Sequence, residues 1–186
     1  MHMKRTRGRS LRGDGSLVKS IGQSLPYQLT AAQREALKEI FADMGSEDRM
    51  LRLLQGDVGS GKTVVALLAL ARAVEAGAQG ALMVPTEILA RQHLAGIGKL
   101  GDGTNLRIGL LTGREKGKAR DDILARLQVG EIDILIGTHA IFQEGVAFRD
   151  LGLVVIDEQH RFGVHQRLAL QDKAARTADL LVMTAT

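Results

Sequence analysis

The chain has no cysteine, no tryptophan, two prolines and aromatic side chains at only 3% of its 186 positions. Without cysteine there is no disulfide framework and no thiolate zinc site, and a reducing compartment is the natural expectation. So few rings argue against a surface that holds single-stranded nucleic acid by stacking its bases. Any grip on nucleic acid would have to run through phosphates. No stretch approaches the roughly 18 apolar residues of a membrane span, and no apolar segment near the amino terminus resembles a signal peptide. The expected location is cytoplasmic, with no membrane partner. Excess charge is also small: 25 Lys and Arg against 21 Asp and Glu leave a formal +4, too little to name a polyanionic partner.

Hydrophobic residues make up 45% of the chain and charged residues 25%, the composition of an ordinary globular protein. The length suits one α/β domain, which at this size buries about 70% of its unfolded surface. Residues 1–24 differ in texture from the rest. Lys4, Arg5, Arg7, Arg9, Arg12 and Lys19 face the single acid Asp14 amid Gly and Ser, which reads as a poorly ordered basic linker or arm. Residues 25–186 form the patterned domain. Ala36, Leu37, Ile40 and Phe41 share a helical face that Gly45 ends. Helices are predicted over Val64–Ala76, from a Thr86 cap to about Leu94, and over Lys118–Val129. Short apolar runs at Met50–Gln55, Gly80–Val84, Arg107–Leu111, Ile132–Ile136, Leu153–Ile156 and Leu180–Met183 read as strands. Strands alternating with helices predict an α/β fold with a central, mostly parallel sheet covered on both faces.

The segment Gly56-Asp57-Val58-Gly59-Ser60-Gly61-Lys62-Thr63 matches the phosphate-loop pattern G-x-x-x-x-G-K-[ST], with a strand before it and a helix after it. Its glycines allow turns in which successive N–H groups point at phosphate oxygens, and the helix start adds its positive end. Lys62 is expected to reach the β- and γ-phosphates of ATP or GTP, and the Thr63 hydroxyl to ligate Mg²⁺. The strand Leu153–Ile156 runs directly into Asp157 and Glu158. Opposite a phosphate loop, Asp157 can hold Mg²⁺ and Glu158 can orient the attacking water.

Asp157-Glu158-Gln159-His160, followed by Arg161-Phe162-Gly163, resembles the D-E-x-H box of superfamily 2 helicases, and within them that of the RecG type. Further stretches agree in the family's order. Leu25-Pro26-Tyr27-Gln28-Leu29-Thr30-Ala31-Ala32-Gln33 is similar to the segment before the first motif, and Pro85 to His93 to motif Ia. Leu111-Thr112-Gly113 resembles motif Ib, Gly137-Thr138-His139 the element after it, and Thr184-Ala185-Thr186 motif III. The resemblance covers roughly residues 25–186 and implies the first RecA-like domain of an ATP-dependent DNA helicase.

It further implies that Gln33, with Tyr27, meets the adenine. Thr86, Arg91, Gln92, Thr112, Gly113, Thr138 and His139 would touch the DNA backbone, and His160, Thr184 and Thr186 would couple hydrolysis to motion. The implied partners are branched or duplex DNA, a second RecA-like domain that supplies arginine fingers worth about 10³–10⁵ in rate, and a wedge domain. The implied task is fork regression or branch migration in DNA repair, in a bacterial cytoplasm. The transcription-repair coupling translocase shares most of these motifs but usually carries Glu at the position of Gln159.

Blander readings stand beside these. Thr30-Ala31-Ala32-Gln33 is a helix capping box, in which Gln33 need only satisfy backbone donors. Thr86 can be a simple helix cap and Gly137-Thr138 a turn. His139, His160 and His165 fit no metal-ligand spacing. A non-catalytic nucleotide- or DNA-binding module is the alternative from another class.

Overall fold

Six apolar runs become six strands of one sheet: β1 (Leu51–Gly56), β2 (Gln79–Met83), β3 (Ile108–Leu111), β4 (Ile134–Gly137), β5 (Leu151–Glu158) and β6 (Asp179–Ala185). The computed structural model describes residues 10–56, 61–158 and 178–185. Every pairing is parallel, and the strand order is β1-β6-β5-β2-β4-β3. All six carboxyl ends therefore lie along one edge. Two strands of late sequence, β6 and β5, separate β1 from β2, which places the ends of β1 and β5 about 10 Å apart.

The helices are α1 (Ser16–Ser24), α2 (Ala31–Gly45), α3 (Lys62–Glu75), α4 (Glu87–Leu100) and α5 (Gly117–Gln128), with a 3₁₀ turn at His139–Phe142. Strand periodicity divides the core in two. Leu82, Ile134, Ile136, Leu153, Val155, Leu181 and Met183 pack with the apolar residues of α1 to α4 on one face. Ala81, Met83, Leu135, Val154 and Ile156 pack with Leu127 of α5 and with Ala140, Ile141 and Phe142 on the other. Each strand residue points to the face opposite its neighbour, so continuous Val/Ile/Leu runs are what a doubly covered parallel sheet requires. Helix α3 is the centre of the larger core: Val64 through Ala71, and Ala73, are all buried.

The edge opposite the carboxyl ends is fixed by polar groups. The buried Gln79 amide donates to the carbonyls of Leu127 and Ile132 and accepts from Asp150 N, joining β2 to the end of α5 and the start of β5. Asp179 accepts from Met50 N at 2.7 Å, which sets the start of β1 against β6. Buried hydrogen bonds of this kind fix one strand register where apolar packing alone would tolerate slippage.

The strands and the phosphate-loop helix lie where the pattern put them, within one or two residues. Two expectations change. Helix α4 continues to Leu100 instead of ending near Leu94: Gly96 and Gly98 lower its propensity, but buried Ile97 anchors the last turns. Residues 10–24, read as part of a poorly ordered arm, are instead docked on the domain. Leu11 and Ile21 are fully buried, and the buried Glu75 carboxylate accepts from Val18 N at 2.6 Å and Gly15 N at 3.2 Å, capping α1 from α3. The basic composition concealed an amphipathic helix with Leu17, Val18 and Ile21 on its packed face.

Candidate nucleotide site and the neighbouring sheet edge

At the carboxyl-end edge, Gly56 of β1 pairs with Ala185 of β6, and Thr184 of β6 lies between Gln55 of β1 and Glu158 of β5. Strand β1 ends at Gly56, and Gly61 is the residue before α3. Lys62, at the start of α3, folds its ammonium back over the sheet edge. It donates to the carbonyls of Gly56 at 2.9 Å and Thr184 at 3.0 Å. The same charge acts on Asp157 at the end of β5. Burial raises the Asp157 carboxyl above its ordinary value, against the opposing pull of His93 and Lys62. Lysine and carboxylate thus meet at one edge. Thr63 is exposed in the first turn of the same helix, and the Thr184 hydroxyl is buried with no partner among the described residues.

No side chain among the described residues caps α3, and its first turn carries no acid. The leading N–H groups of a helix lack intrahelical acceptors and carry the positive end of its dipole, a combination that favours an anion. Gly61 also marks a close approach. A Cβ there would collide with the Gln33 carboxamide nitrogen, so Gln33 reaches the end of the phosphate loop. The capping box read from sequence is present as well: Gln33 Oε1 accepts from Thr30 N at 2.9 Å, and Thr30 Oγ1 from Gln33 N at 3.1 Å. The carboxamide oxygen serves the cap while the nitrogen faces the loop. Beside it, Leu25, Pro26, Tyr27, Gln28, Leu29 and Arg34 line an open groove of about 600 Å³, with Tyr27 49% exposed.

On the β2-β4-β3 half of the edge, each motif residue has a structural partner or an exposed position. Thr86 caps α4 by accepting from Leu89 N at 3.2 Å, and Thr138 accepts from Ala140 N at 3.4 Å. A hydroxyl that accepts in this way keeps its own donor. Thr112 differs. It is 1% exposed, donates to Glu115 Oε2 at 2.7 Å and accepts from Arg114 N, so both its donor and its acceptor serve the turn. Gly113, Gln92 and His139 are exposed. Arg91 pairs with Glu87 at 3.1 Å and Glu115 at 3.6 Å, and Arg114 with Glu87 at 2.9 Å, a network joining α4 to the turn after β3. Gly137 admits no side chain, because a Cβ would meet the Leu111 carbonyl where β3 and β4 approach.

Asp57, Val58, Gly59, Ser60, His160 and Thr186 lie outside the described residues, and Glu158 is placed as the last residue of β5. One residue at the site received no role from the sequence. His93 of α4 brings Nε2 to 4.0 Å from Asp157 Oδ2. The available signal was positional: His93 shares a helical face with buried Ala90 and Ile97, an unusual place for an ionisable residue.

An all-parallel sheet with a lysine at the start of the helix after β1 and an acidic strand end two strands away is a RecA-like phosphate-loop domain. The chain belongs to the DEAD/DEAH box helicase family, whose model matches residues 30–186. It is 57% identical over 164 residues to the ATP-dependent DNA helicase RecG of Bacillus subtilis, covering 88% of this chain and 24% of the relative. It is 54% identical to the RecG of Streptococcus pneumoniae, covering 91% and 25%. A solved structure of RecG bound to a three-way DNA junction superposes with a TM-score of 0.85 at 46% identity, over 96% of this chain and 24% of that one. The chain therefore spans about a quarter of the length of these relatives. Among the described residues no helix is long and apolar enough to cross a membrane.

Proposed function

We propose that this chain is the ATP-binding first motor domain of a DNA helicase that remodels branched DNA. The observation that carries the proposal is the convergence of the Lys62 ammonium, the uncapped start of α3 and the Asp157 carboxylate at one sheet edge. Lys62 would exchange its two carbonyl acceptors for oxygens of the β- and γ-phosphates, with the α3 N–H groups and the backbone of residues 56–61 holding the rest. Gln33 and Tyr27 would hold the adenine, the Gln33 nitrogen serving as donor. Glu158 would orient the attacking water.

The residues suit Mg²⁺. No group of three or more His, Asp or Glu among the described residues could form a protein cage for a metal. One carboxylate, Asp157, and one hydroxyl, Thr63, would be the few protein ligands that Mg²⁺ takes when substrate oxygens and waters complete its shell. When bound, the ion would neutralise charge on the phosphate oxygens.

Thr86, Thr138, His139, Gly113 and Gln92 would meet the DNA backbone, the two threonines through the O–H that their caps leave available. Similarity to RecG, one of whose structures holds a three-way junction, supports branched DNA as the substrate. A second RecA-like domain would complete the site with arginine fingers and a wedge domain would seat the branch, as the relatives' greater length allows. Alone, this domain should bind nucleotide weakly and turn it over very slowly. The test is DNA-stimulated ATP hydrolysis, measured on this domain and on a full-length helicase carrying it. Strong stimulation of the full-length enzyme only is the expected result. Full rates from the domain alone, or none from the full-length enzyme, would reject the proposal.

A further inference from the structure

Helix α4 begins at Thr86, just after β2, packs against β3 and β4, and in its second turn approaches the end of β5 with one side chain. The side chain it presents there is His93, with Nε2 4.0 Å from Asp157 Oδ2 and both side chains only 13% exposed. Burial pushes the imidazole below its ordinary value against the pull of the carboxylate, so both groups sit where charge is poorly solvated and geometry matters most. Among the described residues Lys62 also acts on Asp157, but its ammonium is turned to the carbonyls of Gly56 and Thr184.

We propose that His93 is a positioning residue of the hydrolysis site, steadying the Asp157 carboxylate from the α4 side and thereby linking ATP turnover to whatever seats at the start of that helix. The proposal rests on the reading of Asp157 as the magnesium-side carboxylate. At 4.0 Å the contact is longer than a direct hydrogen bond and spans the distance of a loose or water-bridged one. Partners that orient a metal-binding carboxylate cost about 10- to 100-fold in metal affinity or activity when removed. The remainder of α4 supports this role. Ala90 and Ile97 anchor the helix on either side of His93, and the Arg91–Glu87–Arg114 pairs tie its first turns to the turn after β3. A shift imposed at Thr86 would therefore carry His93 with it.

The test uses His93→Ala and His93→Gln in a full-length helicase carrying this domain. Three readouts are taken: DNA-stimulated turnover, the Mg²⁺ concentration that half-saturates binding of fluorescent ADP, and thermal unfolding. The expectation for His93→Ala is a turnover about tenfold lower and a Mg²⁺ requirement raised several-fold, with the melting temperature and the ATP KM little changed. His93→Gln, which keeps a polar group at the same reach, should restore most of both. If His93→Ala leaves the Mg²⁺ requirement unchanged, or if both variants merely melt earlier, the proposal is overturned. An unaltered enzyme with no DNA-stimulated turnover would instead overturn the functional reading beneath it.

Discussion

Helices α3 and α4 start at the same edge of the same sheet, yet their first turns are satisfied differently. Helix α4 is closed by its own residues: Thr86 accepts a leading N–H, and Glu87 places a negative charge beside the positive end of the dipole. Helix α3 begins at Gly61 with neither device among the described residues. A cap contributes about 1 kcal/mol to a helix, so the lack of one among the described residues, in a helix whose residues from Val64 to Ala71 are all buried, needs a reason. An anionic ligand supplies one. The contrast extends along the edge. On the β1-β6-β5 side, the Lys62 ammonium rests on two backbone carbonyls and Asp157 stands 4.0 Å from His93, whereas on the β2-β4-β3 side threonine caps and ion pairs hold the described motif residues.

The largest effect that would test this contrast is on turnover. Glu158→Gln in a full-length helicase should lower ATP hydrolysis by about 10²–10⁴, the range for removing a group that acts on a proton in the transition state, while nucleotide affinity stays within about twofold. Equal turnover would remove Glu158 from the mechanism. Next in size, Lys62→Ala should weaken nucleotide binding by roughly 100-fold, the loss of two charge-assisted hydrogen bonds of about 1.5 kcal/mol each. Because Lys62 donates to Gly56 and Thr184, the same variant should destabilise the domain only slightly, which calorimetry would show. On the other half of the edge the pattern should invert. Thr112→Val should cost about 1–2 kcal/mol of stability, because Glu115 loses a hydroxyl donor in a confined turn, and leave nucleotide affinity untouched. Smallest of all, Gln33→Ala should cost under about 1 kcal/mol through half of the capping box. It should also narrow any preference for ATP over GTP in competition binding. An unchanged preference would leave Gln33 a cap and nothing more.

Much of this was legible in the chain itself because its signals are local. Leu153–Ile156 followed by Asp157 and Glu158 reads as a buried strand with an acidic end whatever surrounds it, and the segment from Gly56 to Thr63 carries its whole pattern in consecutive residues. Thr30 and Gln33 announced their cap three residues apart, and the cap formed. Contacts between distant residues were not legible. His93 and Asp157 meet only because β5 lies beside β2 in the sheet, an order no local pattern states. Glu75 caps α1 from far along the chain, so residues 10–24 read as an arm until their partner was in place. Arg91 took its role from the resemblance to motif Ia alone; its ion pairs with Glu87 and Glu115, the second from a different element, are contacts no local pattern states.

The most direct test is a crystal structure of the domain with Mg·ADP. The β-phosphate should lie within hydrogen-bonding distance of Lys62 Nζ, with that ammonium released from the carbonyls of Gly56 and Thr184 and the ion on the side of Asp157. A nucleotide bound elsewhere, with Lys62 still on its two carbonyls, would contradict the account.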